Sequence, residues 1–91
     1  MSYIFTEELL KEIHDLIDQA ELCDSGKAAR DYISSIHSIA NGMPEPCGLK
    51  LCEVCSALES YCKRGADKES AKANLNNSLY VFDSLFKARI K

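Results

Sequence analysis

The sequence predicts an all-α fold, an antiparallel up-down four-helix bundle, and three observations carry that expectation. Apolar residues recur at spacings of three and four along four stretches of the 91 residues, the period of a helix with one buried face. Between them lie turn signals: Asp24-Ser25-Gly26, the Gly42 to Cys47 loop with Pro44 and Pro46, and Gly65. No segment alternates with period two for long enough to be a strand. Four singly striped helices joined by short connections bury those stripes most economically as an antiparallel bundle.

The first helix is expected to start at Thr6, a suitable N-cap, with Glu7 and Glu8 placed to meet the positive end of the helix dipole. Its apolar line is Leu9, Ile13, Leu16 and Ala20, flanked by Leu10 and Ile17, and it ends near Cys23. The second helix runs from about Lys27 to Asn41. Ala29, Ile33, Ile36 and Ala40 fall on one line there, with Tyr32, Ile39 and Met43 beside it. Asn41-Gly42 is expected to leave that helix through a left-handed residue, and the two prolines forbid its continuation. The third helix, from about Gly48 to Arg64, aligns Leu51, Cys55, Leu58 and Cys62, with Val54 close by, and Gly65 ends it. Asp67 caps a fourth helix whose line is Ala71, Leu75, Leu79, Phe82 and Phe86 or Leu85, continuing to about Arg89.

The length is enough for one domain, residues 1–91, with a modest core. It is too short for two lobes around a cleft, so any chemistry is expected to borrow part of its site from a partner. Hydrophobic residues make up 46% of the chain, which excludes disorder. The net charge of −3 argues against nucleic acid as a partner. No apolar run approaches the about 20 residues that span a bilayer. Glu7 and Glu8 fall where a secretory leader would be basic and then apolar. The expectation is a soluble, cytoplasmic protein without a membrane partner.

Five cysteines, Cys23, Cys47, Cys52, Cys55 and Cys62, cannot all pair within one chain, and free thiols are the default without export. Cys52-x-x-Cys55 raises a metal site, yet a structural zinc site needs two such pairs, or a pair with two histidines, held by a turn. Here the spacing continues a helical stripe, so the thiols read as small buried hydrophobes, with no metal and no cofactor expected. Cys47, beside the loop, is the one with a conceivable redox role. The charged ends Lys63-Arg64 and Lys87-Ala88-Arg89-Ile90-Lys91 follow the bias of cations toward helix C-termini.

His37 lies roughly 100° from the centre of the second helix's apolar line, at the border of the buried face. One turn away are Ile33, Ser34, Ala40 and Asn41, mostly short side chains that leave the imidazole open to a partner. A neutral imidazole is well populated at neutral pH and is nucleophilic without special tuning.

His37-Ser38-Ile39, followed by Leu51, Val54, Cys55, Leu58 and Glu59 at matching distances, resembles the pattern of histidine-phosphotransfer (HPt) domains. Those modules carry a His-x-Leu-Lys-Gly box, a later glycine, and Leu-x-x-Leu/Val-Cys-x-x-Leu-Glu. The helix, turn and helix from Ile13 to Ile36, and Lys63-Arg64-Gly65-Ala66-Asp67 before the last helix, resemble the family as well. The resemblance implies a four-helix relay domain and a phosphoaccepting His37, with Ile33, Ser34, Ala40 and Asn41 around the docking site. Its partners would be receiver domains of response regulators or hybrid histidine kinases, which supply the Mg²⁺. Such a chain is a phosphotransfer intermediate rather than a self-contained enzyme. The sequence departs from the family on the chemistry: Ala40 replaces its lysine, Asn41 its glycine, and Cys47 its later glycine, with Gly48 following directly. An adaptor of the same fold that binds partners without accepting phosphate is the alternative.

His14 is the rival histidine. His14-Asp15-Leu16-Ile17-Asp18-Gln19 resembles the His-Asp box of dimerising histidine-kinase helices, whose adjacent acid acts as base. A solvated residue flanking the apolar stripe is the plainer expectation there.

Overall fold

The structure, a computed structural model, describes residues 3–23, 25–63 and 67–90. It contains four helices, α1 (Glu7–Glu21), α2 (Gly26–Asn41), α3 (Cys47–Cys62) and α4 (Lys68–Lys87), and among the described residues no strand. The expected turn residue Asp24, the close of the third helix at Arg64 and Gly65, Ala66 of the turn that follows, and the last lysine of the C-terminal run, Lys91, lie outside the described residues.

Three of the four starts are set by side-chain caps. Thr6 Oγ1 accepts the Leu9 N–H at 3.1 Å, with Glu7 and Glu8 in the first turn behind it. Ser25 Oγ accepts the Ala28 N–H at 3.2 Å, which begins α2 one residue before the expected Lys27. Asp67 Oδ1 accepts the N–H groups of Glu69 and Ser70 at 3.1 and 3.4 Å. Each cap satisfies a donor that has no partner inside its helix. α3 follows Pro46 without a side-chain cap.

The helices run up and down around one apolar core. Each packs on the next in sequence, α1 also meets α3 and α4, and α2 and α4 do not touch among the described residues. Two cross-links fix the antiparallel course of α1 and α4. His14 meets Asp83, and one helix end further on Glu21 meets Lys72. The core takes Ala29, Ile33, Ile36 and Ala40 from α2, and Leu51, Val54, Cys55 and Leu58 from α3. Leu75, Phe82 and Phe86 come from α4. It holds no buried polar or charged side chain among the described residues.

Two details differ from the sequence expectation. The innermost line of α1 is Leu10, Ile13, Ile17 and Ala20, while Leu9 and Leu16 are only partly buried. The adjacent pairs Leu9-Leu10 and Leu16-Ile17 make a face wide enough to be centred on either line, and the packing of α1 against three other helices selects the second. The exit from α2 is not left-handed: Gly42 has φ −90° and ψ −1°, and no described non-glycine residue has positive φ. The last turn instead tightens, with the N–H groups of Gly42 and Met43 bonded to the carbonyls of Ile39 and Ala40 at 3.2 and 3.1 Å. Such i to i+3 bonding closes a helix without any left-handed residue. It also turns Met43 into the core, where it is 6% exposed.

Gly48 is what lets α3 begin directly against this exit. A Cβ there would stand 2.5 Å from the Met43 carbonyl oxygen and 2.8 Å from that of Ala40, both backbone atoms. Beside it, Phe5 stacks edge-on against Phe86 at 5.1 Å between centroids, and Phe86 lies 5.6 Å from Phe82. This end of the bundle is thus closed by a loop, a tight helix crossing and an aromatic cluster. Gly48→Ala is expected to destabilise the protein by about 1–3 kcal/mol, the usual penalty for an overpacked site. Gly42→Ala, whose Cβ would meet nothing nearer than 3.8 Å, is expected to be close to neutral. Urea unfolding of both variants checks the contrast.

Candidate functional site

α2 divides cleanly into two faces. Ala29, Ile33, Ile36 and Ala40 are between 0% and 6% exposed, while Lys27, Arg30, Ser34, His37, Ser38 and Asn41 are exposed. Helical geometry couples the two sets, because burying the first line leaves the second no direction but outward. His37 therefore stands in solvent among short polar neighbours. Of the residues expected around it, Ser34 and Asn41 share that surface. Ile33 and Ala40 lie beneath it in the core, since they belong to the stripe that anchors the helix.

Asn41, one turn along, brings its side-chain Nδ2 to 3.5 Å from His37 Nδ1, so that the amide N–H donates to the ring. A carboxamide can face Nδ1 with either end: its NH₂ donates to a bare Nδ1, or its oxygen accepts from a protonated one. The first is the arrangement present, and turning the carboxamide over would free the Nε2 lone pair. Among the described residues no lysine is hydrogen-bonded or ion-paired to the ring. On the same face Arg30 is seven residues toward the N-terminus, roughly 10 Å away along the axis.

Arg30 lines an open groove of about 500 Å³ between the start of α2 and the end of α3, with Gly26, Lys27, Ile33, Glu59, Cys62 and Lys63. Three cations face one carboxylate there, and no ion pair among the described residues involves Lys27, Arg30 or Lys63. This end of the His37 face is positive although the whole chain is acidic. The cations come from opposite ends of two antiparallel helices, so the sequence showed them only as separate residues.

His14 is placed very differently. Its Nε2 lies 2.7 Å from Asp83 Oδ1 on α4, with side-chain exposures of 35% and 20%. A carboxylate only accepts, so Nε2 carries the proton and donates. Asp15, the neighbouring acid in sequence, is exposed, and the partner is 69 residues away. The ring is thus a bridge between the first and last helices rather than a free flank residue.

All five cysteines are free. Cys47 and Cys55 are buried at 1% and 2% exposure, and Cys23, Cys52 and Cys62 are partly buried. Burial pushes the Cys55 thiol up to about 12, helped by Cys52 and Glu59, and raises Cys47 as well against the opposing pull of Arg89. Both stay protonated, apolar core members at neutral pH. Cys47 is in the core and not at an exposed loop, because α3 begins with it rather than after it. Among the described residues no three His, Cys, Asp or Glu side chains are grouped to hold a metal ion. Among them, too, no helix is long and apolar enough to cross a membrane.

No protein-family model, curated protein or solved structure matches this chain. The chemistry of the surface must therefore speak for itself. A double-mutant cycle of His14→Gln and Asp83→Asn, read by urea unfolding, is expected to give a coupling of about 0.5–1.5 kcal/mol, the range of a partly shielded hydrogen bond. A coupling of zero would remove the bridge from the account.

Proposed function

We propose that this chain is a phosphorelay intermediate similar to histidine-phosphotransfer domains, in which His37 carries the phosphoryl group between two receiver domains. The supporting observation is the exposed imidazole on the outer face of α2, in an antiparallel bundle, with Ser34 and Asn41 on the same surface. In the transfer, the Nε2 lone pair attacks the phosphorus of the receiver's aspartyl phosphate. A P–N bond forms, the P–O bond to the aspartate breaks, and the aspartate leaves as carboxylate. Turning the Asn41 carboxamide over would let its oxygen accept from Nδ1–H and hold the tautomer that presents Nε2. The receiver contributes the divalent cation and acidic pocket, so the bundle needs no cleft of its own. Lys27, Arg30 and Lys63 at one end of the same face would steer it toward that acidic surface.

Ala40 favours a second reading, an adaptor that docks on receivers without taking phosphate. It occupies the place of the family's phosphate-facing lysine, and at 3% exposure it is turned into the core. Without that cation the phosphoryl oxygens lose a charge-assisted contact worth about 1.5–3 kcal/mol, or roughly 10- to 100-fold in rate.

Incubation with receiver domains charged from acetyl phosphate distinguishes the two. The relay reading expects acid-labile, alkali-stable label on the chain that disappears in His37→Gln and persists in His14→Gln. Binding of a receiver without label on His37 overturns it in favour of the adaptor.

A further inference from the structure

At the end of the bundle opposite the Phe5–Phe86 cluster, two thiols from different elements converge on α1. Cys23, just past its end, donates through Sγ to the Gln19 carbonyl at 3.2 Å. Cys62, the last residue of α3, donates to the Ala20 carbonyl at 3.5 Å. Those carbonyls belong to consecutive residues, so the two sulfurs hang on adjacent rungs of one helix. The backbone agrees, since a Cβ on Gly26, three residues after Cys23, would lie 3.5 Å from the Cys62 carbonyl. Of the remaining thiols, Cys47 and Cys55 are buried in the core, and Cys52 lies on the same helix as Cys55.

We propose that Cys23 and Cys62 form a reversible intramolecular disulfide when the protein meets hydrogen peroxide, stapling the end of α1 to the end of α3. The Cys23 thiolate, on the more open side, attacks the peroxide. One peroxide oxygen becomes the sulfenic acid of Cys23, the O–O bond breaks, and the other oxygen leaves as water after taking a proton. Cys62 then attacks the sulfenic sulfur; an S–S bond forms, the S–O bond breaks, and hydroxide leaves with the Cys62 proton as a second water. Burial and the neighbouring Cys23 and Glu21 hold the Cys62 thiol up while Lys68 pulls it down, which suits a resolving thiol rather than the first nucleophile. The link closes the chain from 23 to 62 and restricts the unfolded state. It does not depend on any role for His37.

The test is titration of the full-length chain with hydrogen peroxide, alkylation of remaining thiols, and digestion with trypsin and a glutamyl endopeptidase under non-reducing conditions. Cleavage after Glu59 separates Cys62 from Cys52 and Cys55, and cleavage after Lys27 separates Cys23 from Cys47 and Cys52. The expected product is one cross-linked peptide joining Cys23 to Cys62, with a thermal midpoint raised by several degrees and restored by dithiothreitol. Cys23→Ser, a substitution at a partly exposed position past the helix, should fold as before and show neither change. A link between any other pair, or over-oxidation of Cys23 with Cys62 still free, overturns the proposal.

Discussion

The two faces of α2 are the constraint on which the rest depends. Ile33 and Ile36 fill the middle of the bundle and Ala29 and Ala40 let the neighbouring helices approach, so the helix can settle in only one rotation about its axis. A slip of one residue would swing every side chain by 100° and put His37 toward the core while exposing Ile36. The tightened exit at Gly42, the buried Met43 and the close crossing at Gly48 pin the same rotation from the C-terminal end. The exposure of His37 is thus a consequence of core packing several ångströms away.

The two histidines show how a small bundle assigns different work to one side-chain type. His14 lies where α1 and α4 face each other, and its proton is held by Asp83. That bond, with Lys72 to Glu21 at 2.8 Å, joins the helices that close the ring. Among the described residues His37 is hydrogen-bonded only to the side-chain amide of Asn41 on its own helix. It holds nothing together, and a partner can use it without loosening the fold.

Local features were readable from the sequence, and long-range ones were not. Thr6 and Asp67 act as caps because capping involves residues two or three apart, and the line through Ala29, Ile33, Ile36 and Ala40 is clear because the opposite face, with Arg30, Ser34, His37, Ser38 and Asn41, is polar. The α1 face was misjudged by one position because Leu9-Leu10 and Leu16-Ile17 offer two equal lines. The packing of Phe5 on Phe86 escaped notice since Phe5 precedes the helix and has no periodicity to announce it. Asp83 as the partner of His14, the joint groove of Lys27, Arg30 and Lys63, and the approach of Cys62 to Cys23 all require knowing which helix ends meet. No pattern within a single helix carries that information. The exit at Gly42 was read as left-handed from the Asn-Gly pair alone, where the pull of Met43 into the core decides instead.

The most direct measurement is the reaction of the protein alone with potassium phosphoramidate, a small donor that needs no receiver, followed by ¹⁵N and ³¹P NMR. The account predicts phosphohistidine on Nε2 of His37, with Nε2 of His14 unmodified because its proton is committed to Asp83. Modification of His14 with His37 untouched would contradict it.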